Sequence, residues 1–105
     1  MKNIVQMFPK NQVVKLHGTA LAKLNDDIHK RDGHRCIYCG APVDPGEKFH
    51  HERAGLKSDV IEEGVTLCYR CHQQRHAGAN SSSVRKKCRD YLIKLYGKDL
   101  WHAKE

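Results

Sequence analysis

Residues 36–76 read CIYCGAPVDPGEKFHHERAGLKSDVIEEGVTLCYRCHQQRH, and the order of cysteines and histidines in this stretch decides how the rest of the chain is read. Two CxxC pairs, Cys36/Cys39 and Cys68/Cys71, bracket the adjacent histidines His50 and His51, and His72 and His76 follow the second pair. Four thiolates on two knuckles are the ligand set of a closed, tetrahedral, structural zinc site. The segment between the pairs, residues 40–67, is longer than the roughly 15 to 20 residues of a simple ribbon, so further structure is built between the knuckles. Gly40, directly after the first knuckle, suits the sharp turn a backbone makes around a metal.

Working outward, Pro42, Pro45 and Gly46 mark a turn, and Lys48–His51 is short enough to be one strand. Gly55 to Gly64 reads as a polar loop, with a second strand at Gly64–Leu67 delivering the chain to Cys68. Tyr69 to about Ala77 then forms a short helix that Gly78 stops. On the N-terminal side, Thr19 can cap, Leu21, Leu24 and Ile28 recur at helical spacing, and Gly33 ends a helix of about 20–31. Its basic end, His29-Lys30-Arg31, complements the helix dipole or meets phosphate. Past the connector Ala79–Ser83, a helix of about 82–96 puts Val84, Cys88, Tyr91, Leu92 and Leu95 on one face, with Arg85, Lys86, Lys87 and Arg89 largely on the other. Cys88 reads as a small buried hydrophobe. Residues 1–18 stay open: Val13, Val14 and Leu16 suit a short extended segment, and Pro9 opposes a helix. The expectation is one small α+β domain over residues 1–105, its core at 30–78, stapled by zinc and flanked by helices.

Composition agrees that a staple is needed. The chain has 105 residues, 39% hydrophobic and 7% aromatic, a thin basis for stability by apolar burial alone. A net charge of +7 favours a polyanionic partner, nucleic acid first and an anionic membrane second. No apolar run approaches the roughly 20 residues that span a bilayer, and the stretch MKNIVQMFPKNQ lacks the apolar core of a signal peptide. CxxC pairs serve as metal knuckles in reducing compartments, which places the protein in the cytosol.

The histidines carry the chemistry. His72 and His76, four apart on a helix, project from one face and can chelate one ion. His50 and His51 pose a demand, because neighbours on a regular strand face opposite sides, so both can reach one phosphate only if the strand bends or ends there. Hydrolysis of a phosphodiester needs a deprotonated water and charge stabilisation of the phosphoryl and leaving oxygens, and one base with one Lewis acid suffices.

The run RDGHRCIYCG, then HHE, then GVTLCYRCHQQRH, resembles the HNH endonucleases, small ββα-metal nucleases common in phages, homing elements and restriction systems. The resemblance covers roughly residues 30–78. It implies a general base at His51, and a catalytic metal held by His50 and His72, with His76 as the additional helix histidine of colicin-type members. It also implies cleavage to a 5′-phosphate and a 3′-hydroxyl. One position departs from the pattern: where the family has a bracing asparagine before the second knuckle, this chain has Glu63, whose ionised carboxylate donates no hydrogen bond. Either the brace is rebuilt around Ser58 or Asp59, the favoured expectation, or activity is reduced.

Three imidazoles suit Mn²⁺, Ni²⁺, Co²⁺ or Zn²⁺ better than Mg²⁺, so turnover is expected to favour Mn²⁺, and to fall below about pH 6.5, the ordinary range of histidine. Arg53, Lys57, Arg70 and Arg75 flank the histidines, and Lys86, Lys87 and Arg89 lie on the last helix; such groups hold DNA by its phosphates without reading sequence. A monomer would nick one strand, and a homodimer could cut both. A non-catalytic zinc module that binds DNA, or one that binds protein in a phage assembly, would keep the knuckles without needing the histidines.

Overall fold

The computed structural model describes residues 14–52 and 58–97. Helix α1 (Gly18–Arg31) leads to the first knuckle, and strand β1 (His50–His51) pairs antiparallel with β2 (Gly64–Val65), His50 opposite Val65 and His51 opposite Gly64. A single 3-10 turn at Ile61–Glu63 precedes β2; helices α2 (Tyr69–Ala77) and α3 (Ser81–Tyr96) follow it. The expected small α+β fold is therefore present, with three helices, a two-stranded sheet and four clustered cysteines among the described residues.

Several boundaries differ from expectation for local reasons. Helix α1 starts at Gly18, so Thr19 lies inside it; His17 is the N-cap and makes no side-chain capping bond. The first strand loses Lys48 and Phe49 because the Asn25 side chain on α1 captures this segment. Its amide donates to the carbonyls of Pro45 and Glu47 (3.3 and 3.2 Å) and its oxygen accepts from Phe49 N–H at 2.8 Å. The second strand stops at Val65 because Thr66 is claimed elsewhere: its N–H donates to Asp32 Oδ2 (2.8 Å) and its carbonyl accepts from Ile37 N–H (3.0 Å).

That second set of bonds fastens the end of α1 to the sheet. Asp32 also accepts from the Arg31 guanidinium and the Tyr91 hydroxyl of α3, while Arg31 donates to the carbonyls of Ile61 (2.9 Å) and Gly64 (2.6 Å). His29, 1% exposed, meets the Glu47 carbonyl at 2.6 Å and the Thr66 hydroxyl at 3.0 Å. A carbonyl only accepts, so Nε2 is the protonated nitrogen. Two members of the basic helix end are thus structural pins. Gly64 is required at the start of β2, since a Cβ there would lie 2.6 Å from Ile28 Cδ1 and 2.7 Å from the Phe49 ring. Gly40 takes φ +82° behind the first knuckle, the left-handed turn expected of it.

The core is small and continuous. Val65, Leu67, Val84, Cys88 and Leu92 are fully buried and pack with Cys36, Val43 and Cys71. Cys88 takes the apolar role expected of it, and burial pushes its thiol well above the usual range. Truncating Leu92 to alanine would cost about 2–5 kcal/mol, a large share of a small domain's stability. Among the described residues no helix is long and apolar enough to cross a membrane.

Candidate metal centre

The two knuckles bring all four Sγ atoms of Cys36, Cys39, Cys68 and Cys71 within 4.8 Å of one another. Cys39 and Cys68 lie 3.7 Å apart, against the roughly 3.8 Å edge of a tetrahedron with 2.3 Å zinc–sulfur bonds. Burial opposes ionisation of Cys36, but backbone N–H groups directed at its sulfur, Cys39 first among them, bring its thiol down to about 7. Burial and the neighbouring sulfurs push Cys71 far upward, and burial raises Cys68 as well. Four thiolates this close need a cation to coexist, and the set fits zinc.

The second cluster gathers one ring nitrogen each from His50, His72 and His76 within 4.8 Å. His50 Nδ1 and His72 Nε2 are 3.3 Å apart, close to the roughly 3.4 Å edge of a tetrahedron with 2.0–2.1 Å zinc–nitrogen bonds. The three rings meet edge-on or tilted at centroid distances of 4.9, 5.3 and 5.0 Å. Sequence alone determines this convergence on α2: Cys68 caps the helix, its sulfur accepting from Cys71 N–H, so the direction of His72 and His76 follows from the knuckle. Burial, then the neighbouring rings of His50 and His76, hold His72 down at about 4, so its ring is neutral at physiological pH, the state in which an imidazole can bind a metal.

The demand on β1 is met by its brevity. His50 is buried and His51 partly exposed, yet both border one cavity of about 540 Å³ together with His72, His76 and, from α1, Leu21 and Ala22. The ladder ends at His51, whose ring tilts against Phe49 at a centroid distance of 4.6 Å. On its Nε2 side His51 meets Asp59 Oδ1 at 2.7 Å. Burial raises the Asp59 carboxyl, but the Leu16 N–H and the His51 ring outweigh it and keep it below the usual carboxylate range. An ionised carboxylate accepts only, so His51 carries its proton on Nε2 and exposes a lone pair at Nδ1.

Asp59 is itself held by the segment left open in the sequence. Leu16 N–H donates to Asp59 Oδ2 (2.9 Å), Asp59 N–H to the Val14 carbonyl (2.8 Å), and Val14 N–H to Ser58 Oγ (2.9 Å). Glu63, at the asparagine position, is buried; its carbonyl accepts from Glu52 N–H at 2.8 Å and its N–H donates to the Val60 carbonyl.

Glu52 is the residue that sequence reading missed. It is 0% exposed and accepts from His50 Nε2 (3.0 Å) and from Arg75 Nε and Nη2 (3.2 and 3.0 Å), with Arg89 Nε 3.4 Å away. Burial raises its carboxyl, but His50 and Arg75 together bring it below the ordinary value. A partial signal lay in HHE, since residues two apart in extended backbone share a face and Glu52 follows His50 at that spacing. Two of the cations expected at DNA have a protein partner: Arg75 and Arg89 have side chains 15% and 22% exposed and lie against Glu52, and a buried carboxylate demands counter-charge. Arg70, Lys86 and Lys87 are exposed, Lys86 pairing with Asp90 along α3. Arg53 and Lys57 lie outside the described residues.

The family model for HNH endonuclease matches residues 36–78. No curated protein and no solved structure matched the chain. The matched segment runs from the first knuckle through β1, β2 and α2, and so contains both clusters and His51. From its first knuckle to the end of α2, the chain is therefore similar to an HNH endonuclease domain, a nuclease-type unit, and it carries a cysteine cluster suited to zinc.

Proposed function

We infer that the protein is a metal-dependent DNA endonuclease of the cytoplasm, which hydrolyses one phosphodiester per centre and so nicks, with little sequence preference, leaving a 5′-phosphate and a 3′-hydroxyl. The observation that carries this reading is the convergence of His50, His72 and His76 on one point, with His51 on the wall of the same cavity. A divalent cation bound by the three imidazoles supplies Lewis acidity for the phosphoryl and leaving oxygens. His51 Nδ1 takes the proton of the attacking water, and Asp59 holds the ring in the tautomer that leaves this nitrogen bare. The four thiolates hold a structural zinc, and Mn²⁺ works better than Mg²⁺ at the imidazoles, with Ni²⁺ and Co²⁺ also accepted. Arg70, Lys86 and Lys87 contact backbone phosphates, so activity falls steeply with salt.

The test is relaxation of supercoiled plasmid in Mn²⁺. His51→Ala is expected to bind DNA as the wild type does and to lose about 10²–10⁴-fold in nicking rate, the usual contribution of a general base. Equal nicking by the variant would dismiss His51 as the base; DNA binding with no nicking by the wild type would favour a non-catalytic module.

A further inference from the structure

Helix α3 lies outside the family-matched segment, yet it reaches the imidazole cluster through a single buried carboxylate. We propose that Glu52 is a positioning residue for the cation ligand His50, and that α3, through Arg89, is a working part of that centre's support. The inference rests on His50, His72 and His76 being cation ligands, and is independent of whether the protein cuts DNA.

The geometry is specific. Glu52 Oε1 lies 3.0 Å from His50 Nε2, and His50 Nδ1 lies 3.3 Å from His72 Nε2. An acceptor on one side of the ring obliges Nε2 to carry the proton, so the lone pair stands on Nδ1, toward the cluster. Without Glu52 the imidazole can exchange tautomers, and the tautomer protonated at Nδ1 presents an N–H where a ligand is needed. Arg75, between His72 and His76 on α2, bonds both oxygens of the same carboxylate, which ties the strand ligand to the helix ligands. Arg89 approaches Oε2 at 3.4 Å from α3, whose neighbouring Cys88 is fully buried in the core. A shift of α3 is thus felt at His50 through two charged contacts.

The experiment uses the full chain loaded with zinc at the thiols, titrated with Mn²⁺ by calorimetry and with Co²⁺ by visible absorption. Glu52→Gln preserves shape, but its amide nitrogen can face His50 and stabilise the wrong tautomer. Mn²⁺ affinity is expected to fall about 10- to 100-fold, the usual effect of losing a carboxylate behind a metal-bound histidine, with a changed cobalt spectrum. Arg89→Met should weaken binding by a smaller factor, about three- to tenfold, and Arg89→Lys should recover part of it. Lower melting temperatures with affinity and spectrum unchanged in both Glu52→Gln and Arg89→Met would overturn the proposal, because a merely structural role predicts that pattern. If Glu52→Gln does not fold, unchanged affinity in Arg89→Met alone overturns the role of α3. A wild type that takes no second cation would remove the ligand reading underneath; one that binds Mn²⁺ but never nicks DNA, with Glu52→Gln still weakening binding, would sink the nuclease reading and leave this inference standing.

Discussion

The thiol cluster and the imidazole cluster both hold their donor atoms within 4.8 Å, but their surroundings differ. Four sulfurs match the donor count of a closed tetrahedral zinc site and none lines the 540 Å³ cavity, whereas the three nitrogens are one donor short of that count and their residues line the cavity. On the proposed reading the closed site stabilises and the open one reacts, and the donor count is what separates the two roles. The separation also has a spatial logic: Cys71 and His72 are consecutive, so the closed cluster sets the start of the helix that aims the open one.

The strongest way to break this contrast is to remove the closed cluster. Cys71→Ser, or chelation of zinc, is expected to abolish cooperative folding, since a structural zinc site supplies about 10–16 kcal/mol of apparent binding energy, comparable to the whole stability of a small domain. Far-UV dichroism and thermal melting, with metal content by mass spectrometry, read the result. His72→Ala, one residue along, should keep its fold and its zinc. Cooperative melting of Cys71→Ser at the wild-type temperature would erase the distinction between the clusters.

A smaller effect is expected within the open cluster. Asp59→Asn leaves a side chain that can donate to His51 Nε2, which favours the tautomer with its proton at Nδ1 and disables the base. The nicking rate constant should fall roughly 10- to 100-fold, less than for His51→Ala, with KM for DNA and Mn²⁺ affinity unchanged. A parallel loss of Mn²⁺ affinity would instead place His51 among the ligands and redraw the boundary between base and metal site.

What the sequence disclosed, and what it withheld, follows the range of the interactions. The knuckles, the 72/76 pair and α2 were legible because covalent spacing and helical period set them locally. The length of the strands was not, because Asn25 and Asp32, on or beside α1, take the hydrogen bonds that would have extended β1 and β2. The brace of His51 was half legible: Asp59 stood near the expected position, but its partners Val14 and Leu16 come from a segment with no pattern of its own. Arg75 and Arg89 read as surface charge because HHE places Glu52 near His50 but does not reveal that its carboxylate is buried and draws cations from α2 and α3.

The smallest expected effect concerns protons at the open cluster. Burial, then the rings of His50 and His76, hold His72 at about 4, whereas an unfolded histidine titrates near 6.5. Between those values the unfolded chain binds a proton that the folded chain refuses, so stability rises with pH through the window and is lost as pH falls from about 6.5 to 4. Zinc loss from the thiols also destabilises at low pH, so the informative quantity is the difference between wild type and His72→Gln, both loaded with zinc and free of Mn²⁺. Melting temperature should fall more steeply with acidification in the wild type than in the variant. Adding Mn²⁺ should raise the wild-type curve most at the high end of the window, where the imidazoles are neutral, and Mg²⁺ should raise it less, by the preference of nitrogen ligands. Superposed curves for wild type and His72→Gln would mean that the buried imidazole adds no proton linkage, and the open cluster would then differ from the closed one in donor number but not in its sensitivity to protons.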